Sequence, residues 1–394
     1  MSAQPAILPV RAIDNPEIET MLNEGPNTET GAVSSIEQLR ANLSKWLSIP
    51  DEDQDLIDFC LAVYKSHQIP GDPLWGIIID ASGGGKTELL RAFRQRKDAC
   101  FLSSLTENTL VSGYRDPQKK AEDPSLLPKL DGKVVIMKDL SPLLSMRRES
   151  RNAIISQLRD AYDGFTDYGR GNIGKVTYES RFSLITAATL AIERADTVDQ
   201  ELGERFIKFR CRGDATRNKV AKAIGNIGSD DTMRTEIEEA VGKFFDSLPP
   251  IRKLSISDQL GEQLIVLSDF TAKARSHVSR NRNGDLQYLP KPEVGTRLGK
   301  EFGKLLIALA MVRGKSEPDE SDLTTVQRVA DDCLPPNRLL VIDHLRREPL
   351  CHADLEKATG LPHKTADRVL DDLKVLGIAK RTPDGLWTFD DKWK

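Results

Sequence analysis

Apolar residues at Ile36, Leu39, Leu43, Trp46 and Leu47 recur at helical period, and Ser35 with Gln38 has capping-box spacing, so an amphipathic helix is predicted to open at Ser35. A second is predicted from Asp53 to about His67, before Pro70, Gly71 and Pro73 break the pattern. Trp75 with Ile77, Ile78 and Ile79 is a short apolar run suited to a strand, as is Cys100 to Ser103; Lys133 to Met137 is a β-branched run suited to a buried strand, and Arg181 to Ala187 reads as another core strand. Between the last two, Ile154, Ile155 and Leu158 line one side of a helix from Glu149 to Tyr162. A hairpin follows, predicted from the alternation over Val176 to Tyr178 and the glycines at 169, 171 and 174.

Beyond Asp214 the period is helical throughout. Met233 to Phe245, Ser257 to Arg280 and Gly295 to Arg313 carry apolar residues at three and four spacing, punctuated by Pro249, Pro250, Pro290 and Pro292. The pattern changes again at Pro335. A helix through Leu339, Leu340, Ile342 and Leu345 precedes one from His352 to Thr359, a turn at Gly360 to Pro362, and one from Lys364 to Leu376. Two short strands, Gly377 to Arg381 and Leu386 to Phe389, flank Pro383, Asp384 and Gly385, completing a helix-turn-helix with a wing. The expected organisation is a tail at 1–33, a helical collar at 34–70, an α/β nucleotide-binding core at 71–213, an all-α lid at 214–334 and a winged helix at 335–394.

Composition narrows the classes. A chain of 394 residues holds two or three domains, and a formal charge of −4 leaves nucleic-acid contact to local basic patches. The five cysteines stand singly, with no CxxC, as reduced cytosolic thiols do; neither zinc nor a disulfide framework is expected. No apolar run approaches the roughly 20 residues of a membrane span, and no signal peptide opens the chain, so the expectation is a cytoplasmic protein without membrane contact.

The candidate chemistry begins where the first strand ends, at DASGGGKTELL, Asp80 to Leu90. Strand, glycine loop and helix in that order, with Gly85, Lys86 and Thr87 closing the GxxxxGK[ST] pattern, form a phosphate-binding P-loop. Backbone N–H groups close around phosphates, the lysine neutralises them, the hydroxyl holds Mg²⁺, and the helix dipole favours anions. ATP contacts are therefore expected from Ser82, Gly83, Gly84, Gly85, Lys86, Thr87 and Glu88. Asp80 departs from the pattern, standing where its first glycine would be. The run Lys133 to Met137 ends in Lys138 and Asp139; an acid at such a strand end orients Mg²⁺ or water, so Thr87 and Asp139 are the metal candidates. The alternative is a core strand with a solvated end. Thr186 and Thr189 close the next strand, where a polar side chain can position water. Arg205, in GERFIKFR, can reach a neighbour's γ-phosphate or pair within its own domain with Glu201 or Glu204. Arg297 can reach a nucleotide from the start of its helix or lie on the surface. Arg170 and Lys175 of the hairpin can face a DNA strand or simply solvent. His363, Lys364 and Arg368 of the second helix of the helix-turn-helix can face double-stranded DNA, although Asp367, Asp371 and Asp372 share that helix and protein docking is the alternative.

From Leu74 to Lys394 this order of motifs resembles AAA+ ATPases of the MCM-like helicase group, most closely in DGKVVIMKDL, ELGERFIKFR and GTRLGKEFGKLLIALAMVRGKSEPDESDL. The strings IPGDPLWG and FLSSLTENTLVSGY are also similar to predicted ATPases of phages and mobile elements. The resemblance implies an α/β P-loop (AAA+) core, an all-α lid and a C-terminal winged helix. It implies a homo-hexamer that hydrolyses ATP between subunits with single-stranded DNA in its pore. Lys86 and Thr87 would then hold phosphate and Mg²⁺, with Asp139 at Walker B, Thr189 as sensor 1, Arg205 as the finger in trans and Arg297 as sensor 2. The large N-terminal DNA-binding domain of replicative MCM proteins and a primase segment are not found, so a helicase of this kind would need a separate loader or primase. A DNA-binding assembly switch, such as a replication initiator or transposition regulator, and a regulatory or defence ATPase that docks protein are the alternatives.

Overall fold

A computed structural model describes residues 35–112, 125–170, 174–194, 205–213, 216–249, 255–281 and 283–393; the tail expected at 1–33 lies outside them. The strands in chain order are β1 (Trp75–Ile79), β2 (Ala99–Leu102), β3 (Val134–Met137), β4 (Phe165–Arg170), β5 (Gly174–Glu179), β6 (Ser183–Ala188) and β7 (Ile207–Arg210). Five of them form a parallel sheet in the order β2-β3-β6-β1-β7, while β4 and β5 pair antiparallel as a separate hairpin. β1 is thus an inner strand, buried along its whole length.

Because successive side chains of a strand alternate between faces, each inner strand feeds two cores. Ile78, Val134, Ile136, Ile185 and Phe209 face one, with helices from both ends of the chain; Trp75, Ile77, Val135, Met137 and Leu184 face the other, with Ile154, Ile155 and Leu158. The helices are α1 (Ile36–Trp46), α2 (Asp55–Lys65), α3 (Lys86–Arg91), α4 (Arg148–Tyr162), α5 (Thr216–Gly225), α6 (Asp230–Ser247), α7 (Asp258–Arg275), α8 (Thr296–Val312) and α9 (Glu320–Asp332). The Ser35 capping box is formed. Helix α2, expected to be amphipathic, is buried from Leu56 to Lys65. Its sequence is apolar around most of its circumference, which suits a helix enclosed between the sheet and α8. Gly76 permits this approach, since a Cβ there would lie 2.9 Å from atoms of Phe59 and Val63. Helices α6, α7, α8 and α9 share the same apolar core as α1, α2 and the sheet, so the helical segment expected as a lid packs on the sheet's face.

The C-terminal region adds α10 (Pro336–Arg347), α11 (His352–Thr359), α12 (His363–Val375) and an antiparallel pair, β8 (Ala379–Arg381) and β9 (Trp387–Phe389). It has its own core, which takes in Phe270 and Ala274 near the end of α7 and Val278 just beyond it. Asp372 fixes the junction by accepting from Arg280 at 2.7 Å and Arg338 at 3.1 Å.

A buried carboxyl ties the two faces of the sheet together. Tyr162 at the end of α4 donates to Glu301 of α8, which is 3 % exposed. Burial pushes the Glu301 carboxyl from its ordinary 4.5 to about 7, against the opposing pull of the Tyr162 bond, Arg275 and Arg297. The native group holds its proton where an unfolded one has released it. Its contribution to stability is therefore full below about 4.5 and is lost as pH rises to about 7. Glu301→Gln keeps a partner for Tyr162 and removes the titration. Urea unfolding near pH 5 and near pH 8 should show a smaller stability loss with rising pH in the variant than in the native chain; equal losses would contradict the assignment.

Candidate functional site

All strands of a parallel sheet end at one edge, the edge where open α/β sheets bind ligands. Here that edge carries the glycine loop after β1, Lys138 and Asp139 after β3, Thr189 after β6, and Cys211 and Arg212 after β7. Gly83 and Gly85 stand at φ 80° and 88°, a region costly for residues with a side chain. Gly84 is small for another reason: a Cβ there would lie 1.8 Å from Asp80 Oδ2. Lys86 opens the six-residue α3 and turns its ammonium back onto the carbonyl oxygens of Asp80 at 2.9 Å and Ala81 at 2.5 Å. Burial lowers the Lys86 pKa from its ordinary value, while Asp80 and Asp139 pull it the other way. Ser82 and Thr87 are exposed. Glu88 is engaged by Arg234 of α6, at 3.2 and 3.3 Å.

The loop opens into a cleft of about 260 Å³. Trp46, Leu47, Ile49, Leu56, Ala223 and Met233 make an apolar end, and Lys86, Lys219 and Lys222 with the three glycines make a cationic one. The wall is fixed by α6, since Glu236 accepts from Lys45 and from the Trp46 indole, each at 2.8 Å. Lys219 pairs with Asp80 at 3.3 Å. Lys222 has no ion-pair partner among the described residues, and burial alone lowers its pKa. An unneutralised, half-buried ammonium beside an apolar wall suits an anionic ligand that also carries an apolar part. Sequence reasoning missed both lysines; the signal was their three-residue repeat along TRNKVAKAIG.

Asp139 Oδ1 accepts from the Ser141 N–H at 2.8 Å. Ser141 Oγ in turn accepts from the Thr189 N–H at 3.1 Å and lies 3.3 Å from the Thr189 hydroxyl. The acid after β3 and the threonine after β6 are therefore joined through a serine that the motif reading left out. Lys138 and Asp139 are both exposed, and the second Asp139 oxygen has no bond among the described residues, which leaves it open to a cation. Just beyond Thr189, Glu193 pairs with Arg210. Buried Asp332 of α9 accepts from the Arg210 N–H at 2.9 Å and the Arg212 guanidinium at 2.6 Å. Asp53, also buried, accepts from the Arg212 and Gly213 N–H groups and from Arg328 at 2.6 Å. Burial and the acids Asp80 and Asp53 push the Cys211 thiol up to about 12, leaving it inert beside the loop.

Arg205 and Arg297 belong to the opposite edge. β7 pairs with β1 in the register Gly76 to Ile207, so Arg205 lies level with the start of β1. The glycine loop begins beyond the other end of that strand, roughly 20 Å from the level of Arg205 at a strand's rise per residue. Arg205 is 8 % exposed, pairs with Asp163 at 3.5 Å and lies over the Tyr162 ring at 5.7 Å. Tyr162 meets Trp75, the first residue of β1, edge to face. Arg297 acts electrostatically on the same Tyr162 and pairs with Glu293 at 3.5 Å; one turn on, Lys300 pairs with Asp72, which precedes β1. The two arginines are thus brought to one edge, and neither is brought to this chain's own glycine loop. The pairing of Arg205 expected with Glu201 or Glu204 falls on residues outside those described.

Arg170 is the last residue of β4 and Lys175 the second of β5, on either side of 171–173, which lie outside the described residues. On α12, Lys364 and Arg368 are exposed, and two of its acids are engaged elsewhere: Asp372 with Arg280 and Arg338, and Asp367 with His352 at 3.6 Å. His363 is held by Glu356, which also accepts from His352 at 2.6 Å. These three side chains place ligand atoms within 4.8 Å of one another, at a surface position. Among the described residues no helix is long and apolar enough to cross a membrane. No family model matches the chain, and no curated protein matches it.

The Asp80 carboxylate over Gly84 makes a structural prediction. Gly84→Ala should destabilise the chain by about 1–3 kcal/mol through overpacking. Adding Asp80→Gly to it should recover most of that loss in urea unfolding. Full additivity of the two changes would place the carboxylate elsewhere.

Proposed function

We propose that this protein is an ATPase of the MCM-like AAA+ type that works as a ring and moves along or assembles on DNA, as in replication of a phage or mobile element. The observation that carries the reading is the division of charge between the two edges of one sheet. Lysines and glycines gather at the end of β1, and Arg205 and Arg297 gather near its start. A site completed by those arginines must take them from a second copy of the chain. Repeated head to tail, such a contact closes into a ring when its rotation allows.

In this reading the apolar end of the cleft takes the adenine, and Gly83, Gly84, Gly85, Lys86, Lys219 and Lys222 take the phosphates. Mg²⁺ would be held by Thr87 and Asp139 and would offset charge on the transferred phosphoryl group. Thr189, linked to Asp139 through Ser141, would orient the attacking water. Arg205, and Arg297 beside it, would stabilise charge developing on a neighbour's γ-phosphate. The C-terminal helices and strand pair read as a winged helix whose exposed Lys364 and Arg368 suit a nucleic-acid backbone, and Arg170 and Lys175 would line the pore. The assembly switch is the second reading, favoured by Lys138 beside the metal candidate and by Asp80 in the phosphate loop.

Lys86→Ala should reduce ATP affinity by at least about 100-fold, measured by calorimetry, because the phosphate charge then loses its central counter-ion. Arg205→Ala should bind ATP normally and lose turnover by about 10³-fold or more. Mixing the two variants should restore part of the turnover at hybrid interfaces; no restoration would mean that Arg205 acts within its own chain. Single-stranded DNA should stimulate the native rate, and ATP-dependent assembly on DNA without stimulation would favour the switch.

A further inference from the structure

We infer that Asp80 and Lys219 form a charge lock over the phosphate loop, in which Asp80 holds down affinity for nucleotide phosphates and Lys219 of α5 counters it. This rests on the nucleotide reading of the cleft and concerns what sets its affinity. Asp80 Oδ2 lies against Gly84, where a Cβ would approach it to 1.8 Å, so the carboxylate sits on the loop itself. Its other oxygen accepts from the Ala81 N–H at 2.7 Å, which removes one loop donor from a phosphate's reach. Lys219 reaches Asp80 Oδ2 at 3.3 Å, with only 12 % of the acid's side chain and 19 % of the lysine's exposed, so solvent screens the pair weakly. The backbone oxygen of the same residue holds the Lys86 ammonium at 2.9 Å. Asp80 thus engages two of the cleft's three lysines and leaves Lys222 unpaired among the described residues.

Phosphates entering the loop meet a fixed negative charge and compete with it for Lys219. When they win, Lys219 turns from Asp80 to the ligand, and α5 is tied to the nucleotide instead of to the loop. Occupancy of the cleft is then felt by the helix that also supplies Lys222 and Ala223 to its walls.

The test is ATP affinity by calorimetry for the native chain, Asp80→Asn, Asp80→Gly, Lys219→Ala, Asp80→Asn with Lys219→Ala, and Lys86→Ala, with thermal unfolding of each as a fold check. Asn keeps the bond to Ala81, and Gly is the residue the loop pattern has at this position, so the two variants remove the charge in different ways and the unfolding check selects those to compare. Either neutral variant should bind ATP at least tenfold more tightly than the native chain. Lys219→Ala should weaken binding at least tenfold in the native background and clearly less in the Asp80→Asn background, because part of its role is to neutralise the acid. Unchanged or weaker binding in the folded Asp80 variants would overturn the lock, as would an equal Lys219→Ala loss in both backgrounds. Failure of the nucleotide reading looks different: ATP binds to none of these chains, or it binds Lys86→Ala as well as the native one.

Discussion

The polarity of β1 is the constraint on which the rest of the site depends. The strand lies between β6 and β7, is buried on both faces and runs parallel to both, so its two ends cannot exchange environments. Whatever precedes Trp75 is held at one edge of the sheet, and whatever follows Ile79 at the other. The glycine loop, Asp139 and Thr189 share an edge because their strands are parallel. Arg205, just before β7, is kept from it by the same fact, and Arg297 of α8 lies with it beside Tyr162. A one-residue slip of β1 would move Ile78 out of one core and Trp75 out of the other, so the register is strongly specified.

Buried acids then hold the loop-bearing edge in place. Asp53 and Asp332, each nearly inaccessible, accept from the backbone N–H groups that leave β7 and from guanidinium groups of Arg212 and Arg328. Acids so placed are costly unless every lone pair is used, and here backbone donors supply much of the satisfaction. The network connects the N-terminal helices, β7 and α9 around the end of the sheet. On the other edge a similar role falls to Glu301, whose Tyr162 partner lies under Arg205. Displacement of Arg205 by a neighbouring subunit would therefore be felt at a buried carboxyl in α8.

Elements carried by local pattern were legible in the chain. The strand Trp75–Ile79, the capping box at Ser35 and the helices of the last 60 or so residues follow from spacing that needs no tertiary partner. The glycine loop was legible because its backbone demands glycine at Gly83 and Gly85. Ser141, Lys219, Lys222 and Asp332 were not, because what places them is long-range. Ser141 matters through Thr189, 48 residues away, and Lys219 through Asp80, 139 residues away. The enclosure of α2 was equally hidden, since its neighbours α8 and β6 come from distant parts of the chain. The edge to which Arg205 belongs needed the register of β1 with β7, which no local spacing encodes.

The claim that the site is shared between copies is tested most directly by the rate of ATP turnover per chain as protein concentration is varied across the assembly range, with Lys86→Ala as the blank. A shared site predicts a specific rate that rises with concentration and levels off once assembly is complete. A specific rate that stays constant down to concentrations at which sedimentation shows only monomer would contradict the account, because every catalytic group would then lie within one chain.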